Sequence, residues 1–273
     1  MSAFTVGAGL AQSGLVPLDA QVLLAHVLGR DRAWLVAHAT DSLSHDQAEA
    51  FFALARRRRE GEPVAYLTGV REFWGFSLAV TRDVLIPRPE TETLVELALT
   101  CIPLERETRV LDLGTGSGAV ALAIANERPR ARLVATDVSE AALAVARSNA
   151  QRLTIVNVEF VGSDWYEAVD GAPFDVIVSN PPYVAAADPH LAEGDLRFEP
   201  RSALISGADG FDAIRTIVAG APARLARGGT LAFEHGYDQA DRVRSLLEQA
   251  GFADVVSARD LAGIARVAAG RLV

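Results

Sequence analysis

The 273-residue sequence contains no lysine; all 26 of its basic residues are arginine. We read this as a composition bias of the source genome. With 35 acidic residues the net charge is −9. An acidic chain is poorly suited to long nucleic acid, whose affinity rests on cations that displace counterions, although a local basic patch remains compatible with it. A lysine-free chain cannot carry a Walker phosphate loop. The single cysteine, Cys101, excludes an internal disulfide and a cysteine-based metal site, and it fits a reducing cytoplasm. There is no run of ~18 apolar residues, so no transmembrane helix is expected. The first fifteen residues lack a basic stretch followed by a continuous apolar one, so no signal peptide is expected. His26, His38, His45, His190 and His235 show no metal-ligand spacing, and no metal is expected.

What is present is a globular composition, half hydrophobic and 22% charged, at a length of about one or two domains. The first sixty residues read as helices. Residues 18–28 are apolar at helical spacing and stop at Gly29. Asp31 is placed to cap a short helix through Trp34 and Leu35, and Ser44 with Gln47 forms a capping-box pattern. The helix it opens ends in the four arginines at 56–59, before Gly61. Those arginines read as a solvated helix end facing the negative pole of the helix dipole, with a partner-binding patch as the sharper alternative. From 63 to 85 the residues Val64, Tyr66, Phe73, Trp74 and Phe76 lie among glycines, a pattern expected of a β-hairpin or linker. Beyond 105, strand-like and helix-like segments alternate. This implies a doubly wound parallel α/β sheet. The expected organisation is a helical domain over 1–62, a hairpin linker over 63–85 and an α/β domain over 86–273.

Gly114, Thr115, Gly116, Ser117 and Gly118 follow the strand-like residues Val110, Leu111, Asp112 and Leu113. Glycines allow a tight turn and close ligand approach, and such loops bind nucleotides at strand ends. The next strand ends near Asp137, an acid positioned to accept hydrogen bonds from ribose hydroxyls. Two ligands compete for this loop. Gly114, Gly116 and Ala119 satisfy the loose dinucleotide pattern, whereas Gly114, Gly116 and Gly118 fit the S-adenosylmethionine loop better. Asp164 can accept from an adenine amino group, and Trp165 can cover its ring. Asp112 is expected to bond the loop.

Asn180, Pro181, Pro182 and Tyr183 follow the strand at 174–179. Two prolines stiffen the turn. The Asn180 side-chain oxygen and the Pro181 carbonyl can hold a planar –NH2 group, on which the Tyr183 ring can stack. An amide or aromatic amine is a poor nucleophile because its lone pair is delocalised. Two fixed acceptors favour pyramidalisation and aim the lone pair at a methyl carbon, so orientation supplies much of the rate.

At these residues the sequence resembles the release-factor glutamine methyltransferases, the PrmC/HemK family. The resemblance spans nearly the whole chain. It includes the Pro63 to Gly69 stretch, Phe73 with Trp74, the Leu85 to Glu92 stretch, the two motifs above, the Glu199 to Leu204 stretch, and Glu234 with His235 and Gly236. It implies a seven-stranded class I methyltransferase sheet, its last strand antiparallel, with a small N-terminal helical domain and a β-hairpin linker. It implies S-adenosylmethionine as cofactor, at Gly114, Thr115, Gly116, Ser117, Gly118, Asp137, Asp164, Trp165 and Asn180. It implies the glutamine of the Gly-Gly-Gln motif in class I peptide chain release factors as substrate. Asn180, Pro181 and Tyr183 are then catalytic, and Asn180 to Tyr183 hold the glutamine. A cytoplasmic monomer that binds neither membrane nor nucleic acid is expected. The alternative is a DNA or RNA amino-methyltransferase acting on adenine N6 or guanine N2. Against it, residues 1–80 carry seven arginines and eight acids, not a basic recognition domain. Arg88, Glu90 and Glu92 have two readings: a helix N-terminus behind Pro89, or the mouth of the site.

Overall fold

A computed structural model describes residues 4–273, which divide into two compact units. The first runs to Val70 and takes in His190–Phe198; the second holds Arg71–Pro189 and Glu199–Val273.

In the first unit five helices pack around Leu23, Leu24, Leu35 and Phe51. These are α1 (Val6–Gln12), α2 (Pro17–Leu28), α3 (Arg32–Ala37), α4 (His45–Arg59) and α5 (Val64–Thr68). Local chemistry sets their ends. Gly29 closes α2 in the left-handed conformation, which costs glycine nothing. Asp31 caps α3, and the Ser44–Gln47 capping box opens α4. Helix α5 corrects the expectation that a hairpin begins at 63. Pro63 starts one helical turn and Gly69 ends it at φ +73°.

The arginines at 56–59 are exposed apart from half-buried Arg58, as a solvated helix end should be, but three of them also make specific bonds. Arg57 makes a two-pronged pair with Glu62, at 2.8 Å through both nitrogens. Arg58 donates to Asp19 at 2.7 Å and to Asp195 at 2.9 Å. Arg59 donates to the Ser13 carbonyl. Three of the four therefore hold this unit together. Arg58 and Arg197, which donates to the Glu60 carbonyl, fix the segment 190–198 to the end of α4.

The second unit opens with the hairpin of β1 (Val70–Phe73) and β2 (Phe76–Ala79). A 3-10 turn, Pro89–Thr91, leads into α6 (Glu92–Cys101). There follow β3 (Arg109–Leu113), α7 (Ala119–Glu127), β4 (Arg132–Asp137), α8 (Glu140–Leu153), β5 (Val158–Gly162) and β6 (Phe174–Ser179). The chain ends with α9 (Asp212–Gly220), β7 (Leu225–Glu234), α10 (Ala240–Gln249), β8 (Phe252–Arg259) and β9 (Ala265–Leu272).

The seven strands lie in the order β5-β4-β3-β6-β7-β9-β8. All neighbours are parallel except β9, which runs antiparallel to both β7 and β8. Central strands are buried on both faces, which explains their continuous apolar runs. Val110, Val176 and Val178 face one core; Leu111, Leu113 and Ile177 face the other. From β3 the chain first winds outward through β4 and β5, then returns to β6. The order reverses between β3 and β6, and open α/β sheets bind ligands at the carboxyl ends beside such a point.

Candidate active site

The glycine loop leaves β3 and the proline turn leaves β6, side by side at that reversal. Ser179 ties the two strand ends by donating to the Leu113 carbonyl at 2.8 Å. A cavity of about 200 Å³ opens there.

Gly114, Thr115, Gly116 and Ser117 form one wall with Asp137. All three loop glycines have positive φ: +70°, +55° and +84° for Gly114, Gly116 and Gly118. Nothing stands within 4 Å of a Cβ built on Gly116, so its backbone is open to a ligand. Gly118 stands off the cavity wall. A Cβ there would meet Leu122 at 3.0 Å and Ala146 at 3.2 Å, so it is the residue that lets the loop pack on α7 and α8. Asp137 accepts from the Gly116 and Ser139 amides, each at 2.9 Å and each on a different oxygen. Each oxygen keeps a lone pair for a further donor. Asp164 and Trp165 form the next wall, with Trp165 held at φ +47°.

Asp112 also borders the cavity and is buried. It accepts the Thr115 hydroxyl at 2.7 Å. Burial pushes its carboxyl up to about 7, helped by the charge of Asp137, with the Thr115 bond acting the other way. Asn149, buried on α8, donates to the carbonyls of Ser117 and Ala79 and accepts from the Ala79 amide. It fastens β2 to the glycine loop.

Asn180 and Pro182 also line the cavity. Pro181 is buried and, like Tyr183, stands off the cavity wall. Asn180 donates through Nδ2 to Thr91 Oγ1 at 3.1 Å. Thr91 in turn donates to Glu234 at 2.6 Å, and the Tyr183 hydroxyl donates to the other Glu234 oxygen at 3.0 Å. Burial, and the Glu234 carboxylate beside it, push the Tyr183 phenol far up. Burial pushes Glu234 up as well, opposed by its two hydroxyl donors and by Arg266.

Sequence reasoning missed Thr91 and Glu234. The mouth residues it weighed fall elsewhere: Arg88 pairs with buried Glu199 at 2.6 Å, and Glu92 accepts the Trp74 amide at 2.9 Å. Neither they nor Glu90 line the cavity; Thr91, among them in sequence, does. Pro87, Pro200, Ser202 and Ala203 also line the cavity; they belong to the two stretches, 85–92 and 199–204, that carry the resemblance, but their meeting at one cavity is not visible at that separation in sequence. His235 is buried, with its pKa lowered by burial, and Nδ1 beside the Gly236 carbonyl. Among the described residues no cluster of His, Cys, Asp or Glu could hold a metal, and no helix is long and apolar enough to cross a membrane.

Residues 8–69 match the family model of the PrmC N-terminal domain, and residues 91–194 match that of the methyltransferase small domain. A release factor glutamine methyltransferase of Bordetella pertussis is 55% identical over 264 residues, 96% of this chain and 97% of that protein. One of Burkholderia pseudomallei is 56% identical over 269 residues, 96% and 94% of the two chains. The solved structure of a methyltransferase from Pyrococcus furiosus shares the fold. It has a TM-score of 0.55 at 18% identity, over 79% of this chain and 96% of that one. Identity above one half, sustained along nearly the full length of both relatives, assigns the chain to the release factor glutamine methyltransferase family.

Proposed function

We propose that the protein transfers the methyl group of S-adenosylmethionine to the side-chain amide nitrogen of the glutamine in the Gly-Gly-Gln motif of class I peptide chain release factors. The observation that carries this reading is that the glycine loop, through Gly114 to Ser117, and the proline turn, through Asn180 and Pro182, line one cavity. The family's methyl-donor and amide-binding motifs thus open on the same space.

The residues present fit the donor. Gly116 leaves its backbone open, Asp137 has acceptor capacity for a ribose, and Asp164 with Trp165 offers an acid and an aromatic face for an adenine. When bound, the donor supplies a sulfonium methyl as the electrophile. The chain's part is to hold the nucleophile. Among the described residues no group donates to Asn180 Oδ1, so that oxygen is available to accept one amide proton. The Pro181 carbonyl accepts the second, and the Tyr183 ring, anchored through its hydroxyl, covers the amide plane. Acceptors fixed where positive charge develops stabilise the transition state without reorganising. Transfer would form the nitrogen–methyl bond as the sulfonium–methyl bond breaks, leaving a thioether, with the released amide proton passing to water.

With a release factor as substrate the working compartment is the cytoplasm. One chain carries every group named here, so we infer action as a monomer, with no call for membrane or nucleic acid. The test uses S-adenosylmethionine with a labelled methyl group in separate reactions. One contains unmodified release factor, one DNA and one ribosomal RNA. Label is expected on the protein alone; label on nucleic acid alone would favour an amino-methyltransferase of bases.

A further inference from the structure

We propose that Glu234 and Thr91 are positioning residues, forming a hydrogen-bond relay that fixes which end of the Asn180 amide faces the substrate. The proposal rests on the function given above and deepens it.

The argument is one of donors and acceptors. Oxygen and nitrogen of an asparagine amide are nearly the same size, so only bonding partners decide its orientation. Asn180 must present oxygen to a substrate –NH2; presenting its own –NH2 would set donor against donor. Glu234 starts the relay. Each of its oxygens receives a hydroxyl, Thr91 at 2.6 Å and Tyr183 at 3.0 Å, and these two donors, with Arg266, favour the carboxylate, which only accepts, against the upward push of burial. The single Thr91 proton is therefore committed to Glu234. Thr91 Oγ1 can then only accept from Asn180, and Nδ2 supplies that bond at 3.1 Å. Oδ1 is left for the substrate. The same carboxylate fixes the direction of the Tyr183 hydroxyl, so one side chain orients both ends of the amide-binding turn.

Nothing else accounts for the arrangement as well. Glu234 and Thr91 are 2% and 3% exposed. Burying a carboxylate is costly unless its oxygens are bonded, and an apolar pair would close this core without that cost. A water-filled alternative would leave the Thr91 proton uncommitted and the Asn180 amide free to turn over.

The test is a set of variants assayed for kcat and KM on release factor, with methyl-donor affinity and melting temperature as controls. Glu234→Gln keeps the shape but can donate as well as accept, so the relay can reverse. Thr91→Val removes the hydroxyl at nearly constant volume. Each is expected to lower kcat by about ten- to a hundredfold, the range carried by one hydrogen bond to a charged group, with donor affinity little changed. The double variant should lose no more than the worse single, because both break one chain. Thr91→Ser should restore most of what Thr91→Val loses.

Losses that multiply in the double variant would overturn the relay. So would Thr91→Ser behaving like Thr91→Val, or a rise in KM at unchanged kcat. Wild-type protein that methylates release factor while the variants behave in those ways leaves the function standing and removes the relay. Wild-type protein that leaves release factor unmethylated removes both.

Discussion

Asp112→Asn is a direct probe of the electrostatics beneath the glycine loop. The Asp112 carboxyl titrates at about 7 in the folded chain against 3.8 as its ordinary value, chiefly because it is buried. Between those values the folded chain keeps a proton that the unfolded chain has released. Stability therefore falls as pH rises through that window, and levels off once the folded carboxyl has ionised. From about pH 5 to about pH 8 the loss amounts to about 2–3 kcal/mol. Asparagine keeps an acceptor for Thr115 but does not titrate. The stability of the variant minus that of wild type should thus grow by this amount over the interval, whatever constant offset the new amide adds. In a domain of this size, that corresponds to a relative gain of about 5–10 °C in melting temperature. The assay is calorimetric melting of both proteins across the range, without ligand. Groups common to both proteins cancel in the difference. A difference that stays flat refutes the buried-acid reading, and one that shrinks reverses its sign.

Asn180→Ala should leave methyl-donor binding nearly intact and cut turnover by about 10²–10³, the cost of losing one preorganised polar group; wild-type turnover would contradict its role. Asp137→Ala should weaken donor binding by roughly ten- to a hundredfold in calorimetry, as expected for lost bonds to a charged acceptor, with unchanged affinity ruling out the ribose assignment. Gly118→Ala forces a Cβ against Leu122 and Ala146 at positive φ, and should destabilise the fold by about 1–3 kcal/mol in chemical denaturation. Arg58→Ala frees Asp195 from its anchor on α4. It should increase protease cleavage within 190–198, and unchanged cleavage would mean that the pair does not hold that segment.

The central sheet was legible because physical constraint and local sequence agree there. Arg109–Leu113 and Phe174–Ser179 are short apolar runs bounded by turn residues, so burial on both faces shows directly. The two ligand loops were legible for the same reason, since each sits where a strand must stop. Short-range ambiguity hid α5: Val64, Tyr66 and Leu67 suit a strand, and only the flanking Pro63 and Gly69 make the segment one helical turn. Strand β7 runs through Gly228 and Gly229, a residue type that weakens strand interiors. Gly229 is needed inside the strand because a Cβ would press on the Asp175 carbonyl at 3.0 Å. The pairing of Arg58 was hidden because its partners, Asp19 and Asp195, come from distant parts of the chain. The relay was least visible of all. Thr91 and Glu234 are 143 positions apart, and neither residue type announces a role until folding brings them within one hydrogen bond.

The most direct test of the account is tandem mass spectrometry of a digested release factor after incubation with the protein and S-adenosylmethionine. The account predicts a gain of one CH2, located on the side-chain amide of the Gly-Gly-Gln glutamine and absent when Asn180 is replaced by alanine. A gain on any other residue, or none while the methyl group is found on DNA or ribosomal RNA, would contradict it.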